Sequence, residues 1–507
     1  MPKLSEDRIP ILIGGGQVTQ RDAEPTAAAE PLELMATVAQ RAAENAALLP
    51  SQLAEVDLVA VVNILGWSYA NPPGALAARV GAKPSRLWYS TLGGNTPQWL
   101  VNELAARVAN GEVQFALLAG AEAIATLQRA RRAKVSLQWS TGEAPGMPAP
   151  EILGSNRPGT SDVEAAHGLT LPVVVYPLFE NALRRHYGYS LEEHRQRLGA
   201  LCARMTEVAA KNPYAWFPTR RSPEEIATPG PENRMVAFPY TKYMNAIIEV
   251  DQGAALLLTS VARAKELGVP RDRWVYLWGV ADTQDHWFVT ERVNYWSSPA
   301  IRVAGREALA MAGWSIGEVD FFDLYSCFPC AVQIGRDALG ISPDDPRPLT
   351  VTGGLPYFGG PGNNYVTHSI ATMLDLLRQH PGKRGMVTGL GWYITKHSVG
   401  LYSTEPPPRP FERRAPAEYQ QEIDCMARPE LALHPCGRGA VETYTIVHER
   451  DGRPVRGIVI GRLADGRRFL ANLPPEPDAL AALEEQEMIG REGHVESHEG
   501  TNVFRCD

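Results

Sequence analysis

The 507-residue chain is poor in several things, and each scarcity excludes something. It has six cysteines, Cys202, Cys327, Cys330, Cys425, Cys436 and Cys506. They are too few and too scattered for a disulfide framework, so reduced thiols in a cytosol are expected. No uninterrupted apolar run approaches the ~18 residues of a membrane span. The polar start Lys3-Leu4-Ser5-Glu6-Asp7 lacks the basic head and apolar stretch of a signal peptide. The expectation is a cytoplasmic protein with no membrane span. Positive charge is in deficit, 49 Lys+Arg against 57 Asp+Glu, for a net charge of -8. That balance does not suit a general nucleic-acid binder, although a local basic patch can still grip a phosphate.

What is present is a globular composition, 44% hydrophobic and 21% charged, in a chain long enough for about three domains. Its most informative feature is a weak internal repeat. The strand-like Ile11-Leu12-Ile13-Gly14-Gly15 is matched by Val275-Tyr276-Leu277-Trp278-Gly279, offset by 264. Helical patterns at Leu34–Ala47 and Ile301–Ala312 lead to Glu55-Val56-Asp57 and Glu318-Val319-Asp320, offset by 263. Gly93-Gly94-Asn95 precedes a predicted helix (Gln98–Ala109) and the strand Phe115–Ala119, ending at Gly120. Gly359-Gly360-Pro361-Gly362-Asn363-Asn364 precedes a second helix (Tyr365–Gln379) and the strand Met386–Thr388, ending at Gly389. Matches in one order at a nearly constant offset indicate duplicated α/β units with buried parallel strands.

Two regions break the repeat. Residues 125–245 read as an irregular, proline-marked excursion, of the kind that forms a lid or a binding surface. Pro406-Pro407-Pro408-Arg409-Pro410 reads as an extended linker. Beyond it, alternating strands stop at Asp451-Gly452 and Asp465-Gly466, both hairpin signals. Three strands, a short helix (Asp478–Glu487) and two strands (Arg491–Ser497, Thr501–Arg505) follow the order of an OB barrel.

These residues resemble the thiolase superfamily. Gly94-Asn95-Thr96 through Ala119-Gly120-Ala121-Glu122 is similar to the family's nucleophile helix and the strand after it. Asp251-Gln252-Gly253-Ala254-Ala255 resembles an Asp-Gly-Ala-Ala segment, and Lys211-Asn212-Pro213-Tyr214-Ala215 a segment of sterol-carrier-type thiolases. Asp323-Leu324-Tyr325-Ser326-Cys327-Phe328 stands where the family has Asn-Glu-Ala-Phe or His-Asp-Cys-Phe. With the added barrel, the chain resembles the thiolase-like protein type 1 branch. The resemblance implies an α/β fold, a duplicated five-layered αβαβα thiolase fold with a loop-domain insertion and a C-terminal OB-like barrel. The implied division is an N-terminal half (1–124), a loop domain (125–245), a C-terminal half (246–415), and a linker helix with the barrel (416–507).

It also implies what is missing. The family's nucleophilic cysteine falls on Gly94, its Gly-His-Pro histidine on Gly360, and its water-holding Asn or His on Tyr325. Its second cysteine falls within Val387–Trp392, which contains none. Losing a covalent nucleophile removes a pathway, so ordinary thiolysis is not expected. The candidate catalytic residues are Gly94 and Asn95 at a helix N-terminus able to hold an oxyanion, Tyr325 as an acid/base or donor, Cys327 as a surrogate thiol, His368, and the vacated Gly360. Lys396-His397 follow the strand where the second cysteine would lie. No metal is expected, because Cys327-Phe328-Pro329-Cys330 is a lone C-x-x-C pair. Arg129, Arg131, Arg132, Lys134, Arg220 and Arg221 are candidates to grip phosphates of coenzyme A.

Three functions stay open: a binder of CoA or acyl-CoA thioesters in lipid metabolism without Claisen chemistry; a non-cysteine acyltransferase or retro-aldolase using Tyr325; or a partner-docking protein whose pocket is plugged by Trp99, Tyr357 or Trp392. The expected ligand is a CoA thioester, with no covalent cofactor and no nucleic acid. A monomer is slightly favoured, with the barrel either docking a partner or covering the face that thiolases use to dimerise.

Overall fold

The computed structural model describes residues 8–498 and 500–507. The polar start Lys3–Asp7 lies outside them. The N-terminal half contains β1 (Pro10–Thr19), α1 (Pro31–Asn45), β2 (Leu58–Val61), α2 (Pro72–Arg79), β3 (Arg86–Ser90), α3 (Thr96–Ala109), β4 (Phe115–Ala123) and α4 (Ile124–Ala133). The sequence reading ends the first strand at the glycines, but β1 runs through all three of them. Packing explains this. A Cβ on Gly14 would overlap the Ala42 carbonyl of α1, and one on Gly16 would overlap that of Val38. Bare glycines inside the strand let the helix backbone settle directly on the sheet. The second half repeats the device, since a Cβ on Gly279 would overlap the Ala308 carbonyl.

The excursion is irregular over 134–161, apart from a short strand, β5 (Glu151–Leu153), and then holds four helices: α5 (Asp162–Ala166), α6 (Pro172–Tyr187), α7 (Leu191–Ala209) and α8 (Pro223–Ala227). Its many prolines suggested irregularity. Yet Pro172 sits in the first turn of α6, where its missing N–H costs nothing, and Gly188 ends that helix at φ 75°. Ser190 caps α7 by accepting from Glu193 N at 3.1 Å. Two short strands follow, β6 (Met235–Ala237) and β7 (Tyr240–Thr241).

The second half holds β8 (Asp251–Ser260), α9 (Val261–Glu266), β9 (Val275–Gln284), α10 (Pro299–Ala312), β10 (Phe321–Asp323), α11 (Pro329–Ala338), α12 (Tyr365–Gln379), β11 (Arg384–Gly391) and β12 (Lys396–Ser403). The ten core strands run β10-β11-β12-β9-β1-β8-β4-β2-β3-β5. The duplication is plain in this order: β1-β8-β4-β2 mirrors β9-β12-β11-β10 outward from the centre. The halves meet where Ile11 and Leu12 pair with Tyr276 and Val275. Helix α1 packs on the first half-sheet and α10 on the second, while α3 and α12 contact strands of both. That is the five-layered arrangement of the thiolase fold.

After the prolines, α13 (Pro416–Asp424) packs on β9 and α10. Then β13 (Gly437–His448), β14 (Pro454–Leu463), β15 (Arg468–Asn472), α14 (Pro477–Leu483), β16 (Glu492–His498) and β17 (Thr501–Cys506) close a barrel. Strand β13 pairs with both β14 and β16, and β15 pairs with β17 in parallel. The loop domain extends the same sheet, Val447 of β13 pairing with Ala237 of β6. No helix among the described residues is long and apolar enough to cross a membrane.

A buried arginine ties the barrel to the core. Arg468 is fully buried; it binds Glu442 within the barrel at 2.7 Å and donates to the carbonyls of Thr290 (3.0 Å) and Arg292 in the second half. Removing Arg468 leaves the two core carbonyls without this donor, while Glu442 keeps Arg462, which donates to it at 3.0 Å. Arg468→Met should therefore lower stability by roughly 1–3 kcal/mol in urea denaturation.

Candidate functional site

Two asparagine-glycine corners, one from each half, build the site. Gly93 N donates to Asn363 Oδ1 at 2.8 Å, and Asn363 Nδ2 donates to the Asn63 carbonyl at 3.0 Å. Asn364 Nδ2 donates to the Gly120 carbonyl at 2.6 Å. Gly93, at φ 150°, turns the chain into α3, and Thr96 Oγ1 closes that turn on the Gly93 carbonyl at 2.7 Å. Gly389 of β11 lets the start of α3 lie close, since a Cβ there would stand 2.8 Å from Asn95 Cα. The helix N-terminus is thus aimed at the meeting point of β11 and the segment after β10.

A tyrosine hydroxyl occupies that point. A Cβ on Gly94 would stand 2.6 Å from the Leu390 carbonyl and closer still to Tyr325 Oη. The Tyr325 backbone N donates to Thr388 Oγ1 at 2.9 Å, and its ring meets Tyr365 edge-on at 5.7 Å. Tyr365 in turn donates to Asp323. Tyr325 is buried, and burial, followed by the nearby Cys327 and Tyr365, holds its phenol well above the ordinary value. It borders a cavity of about 10 Å³, shared with Leu390 and His397, which is room for one water at most. The histidine position is filled as well: from a Cβ on Gly360, the Ile247 carbonyl lies at 3.1 Å and Leu355 at 3.3 Å.

The plug is therefore Tyr325 with Leu390, and not Trp99, Tyr357 or Trp392. Trp99 lines a neighbouring pocket, Tyr357 is buried beside Cys202, and Trp392 packs over Gly159. Cys327 is close to Tyr176, and burial pushes its thiol up to about 12. At neutral pH it is a packed thiol without thiolate character. His368 is fully buried on α12, with Nδ1 2.9 Å from Gln17 Oε1, and burial alone pushes it down to about 3. It is a neutral core imidazole.

The basic candidates separate. Arg129 is engaged with Asp251 at 3.0 Å and with the Arg21 carbonyl at 2.6 Å. Arg132 pairs with Glu249 at 3.3 Å, and Arg131 and Lys134 stand exposed at the end of α4. Arg221 lies over the Tyr243 ring, and Arg220 pairs with Glu207 at 3.3 Å. Glu207 lines a cleft of about 650 Å³ between α7 and α12 that the sequence reading missed. Nothing local marks that cleft, since its walls are joined only by the packing of the loop domain on the second half.

Comparison with known proteins agrees with this architecture. Residues 418–500 match the family model described as the thiolase-like protein type 1 additional C-terminal domain. A monomeric SCP2-thiolase-like protein type 1 from Mycobacterium smegmatis is 36% identical, with a TM-score of 0.86, over 99% of this chain and 100% of that one. The chain belongs to the SCP2-thiolase-like protein type 1 family. An Ltp2–ChsH2(DUF35) aldolase shares the fold at 18% identity and a TM-score of 0.60, over 79% of this chain and 99% of that one. An acetyl-CoA acetyltransferase of Methanocaldococcus jannaschii is 29% identical over 177 residues, 35% of this chain and 42% of that relative. The chain thus spans less than half of this curated relative in alignment. In this thiolase-like protein, packed groups stand where the resemblance placed the family's reactive ones.

Two predictions follow from the packing. Gly94→Ala should cost about 1–3 kcal/mol through overlap with Tyr325 and Leu390. Tyr325→Phe, which withdraws the hydroxyl, should restore part of that loss, giving a coupling above about 0.5 kcal/mol in a double-mutant cycle. Glu122, at the end of β4, is almost fully buried; burial raises it to about 7 against the lowering effect of hydrogen bonds from Leu65 N (2.6 Å) and Gly66 N (2.9 Å). The folded protein therefore keeps a proton that the unfolded chain releases near pH ~4.3. Stability from this group falls as pH rises from about 4 to 7 and is flat above. Glu122→Gln should flatten that fall by up to about 1.4 kcal/mol per pH unit, read from urea midpoints at several pH values.

Proposed function

We propose that this chain binds a CoA thioester without performing cysteine-dependent acyl transfer. The observation that carries the reading is the Tyr325 hydroxyl, packed where a Gly94 side chain would have to stand. No substrate carbonyl can reach the Gly94 face of the start of α3 while that hydroxyl is there. The same closure weighs against the Tyr325 retro-aldolase reading, because a cavity of about 10 Å³ admits no substrate. Support for a CoA ligand comes from the acetyl-CoA acetyltransferase relatives and from the cleft of about 650 Å³, within the usual size range of ligand clefts. Leu201, Met205, Val208 and Leu376 supply apolar walls for an extended arm. Arg204 and Lys211, both exposed, supply positive charge for phosphates. The barrel is joined to the loop domain in one sheet, and we take the working form to be a monomer, like the solved relative.

Calorimetry with CoA and acetoacetyl-CoA tests the reading. Binding is expected, with no thiolysis and no covalent acyl adduct. Val208→Trp combined with Lys211→Glu should weaken binding tenfold or more. Absence of binding at millimolar CoA would leave the partner-docking reading in its place, and an acyl-protein adduct would overturn the loss of transfer chemistry.

A further inference from the structure

On the other flank of the same helix end lies a separate pocket of about 280 Å³, lined by Thr91, Asn95, Trp99, Ser155, Lys396 and His397 among others. Lys396 opens β12, and the bare Gly93 makes room for it: a Cβ on Gly93 would stand 2.7 Å from Lys396 Nζ. Nζ donates to the Leu92 carbonyl. Among the described residues no carboxylate pairs with it, and its one perturbing influence is burial, which pushes it down to about 8. Asp282 also lines the pocket, but Arg413 and Asn102 already hold its carboxylate. Two further side chains bring buried polar atoms that make no hydrogen bond among the described residues, Asn95 Oδ1 and His397 Nε2, in residues only 7% and 3% exposed. The Asp285 carboxylate stands 3.8 Å from Nε2, and among the described ion pairs Asn95 Oδ1 has no such neighbour. The His397 ring is engaged with the Ile394 backbone, and burial pushes it down to about 3. It is therefore neutral, and Nε2 carries a lone pair.

This combination selects a ligand. The unpaired Asn95 Oδ1 and the unprotonated His397 Nε2 beside an amine, with the Asp285 carboxylate behind the imidazole, disfavour a carboxylate, whose oxygens would face them. They suit a group that presents a hydroxyl hydrogen while an amine bonds to its carbon. We infer that Lys396 is an amine nucleophile and that this pocket condenses it with the carbonyl carbon of a short-chain aldehyde or ketone. The neutral Nζ lone pair forms the C–N bond while the C=O π pair moves to oxygen. The nitrogen loses a proton and the oxygen gains one, giving a carbinolamine whose hydroxyl can donate to Asn95 Oδ1 or His397 Nε2. Loss of that hydroxyl as water leaves the imine, so amine and carbonyl become imine and water with no oxidant or reductant. Trp99 and Trp287 give the pocket its apolar wall. The site is independent of the CoA cleft, and each can fail without the other.

The test is reductive trapping on the whole protein. Butanal and cyanoborohydride near pH 7.5, followed by peptide mass mapping, should place a butyl group on Lys396 at least tenfold faster than on the exposed Lys83. Lys396→Arg should remove that adduct. Ser155→Trp, which fills the pocket and leaves the lysine in place, should slow it by a similar factor, with circular dichroism confirming that the variant is folded. Labelling of Lys396 no faster than Lys83 in the unaltered protein, or undiminished in folded Ser155→Trp, overturns the assignment.

Discussion

The structure depends on backbone meeting backbone at glycines. In each half a helix lies so close to its central strand that a Cβ on Gly14 or Gly279 would strike a helix carbonyl. At the centre, the Gly359–Asn364 corner holds the Gly93 corner through Asn363 and the Gly120 carbonyl of β4 through Asn364. Asparagine suits this junction because one side chain both accepts and donates, so Asn363 satisfies the Gly93 amide and the Asn63 carbonyl together.

Where the family resemblance leads one to expect reactive groups, packed ones stand. Tyr325 fills the space beside Gly94, and its backbone is held by Thr388. Beneath it, Asp323 is fully buried and accepts from Thr350 (2.9 Å), Val351 N (2.9 Å), Ser369 (2.7 Å) and Tyr365 (3.1 Å). A carboxylate with so many donors is a structural hub that fixes the segment before Gly353 against α12. This point is closely packed, while polar groups line the lysine-bearing pocket and the loop-domain cleft.

The barrel belongs to the same construction. Arg468 reaches core carbonyls, Asn181 Nδ2 of α6 donates to the Tyr444 carbonyl at 2.9 Å, and the Asn502 amide donates to His167 Nε2 at 2.9 Å. The loop domain is therefore clamped between core and barrel. The ordered helices α6 and α7 lie beyond Pro145–Pro158, a stretch that is irregular apart from β5, and α7 is built from strong helix formers behind its Ser190 cap.

By itself the sequence determined the duplication and the order of the barrel strands, because strand and helix periodicity are local properties of the chain. It also held Asp323 and Glu122 in recognisable motifs without revealing their burial. Only the tertiary structure decided that Tyr325 closes the vacated place, that Cys327 and His368 are core residues, that Arg129 is tied to Asp251, and that Lys396 and Asn95 share a pocket. Those outcomes depend on side chains some 300 positions apart meeting across two half-sheets, Lys396 with Leu92 and Asn363 with Gly93. No periodicity within either segment encodes such a meeting.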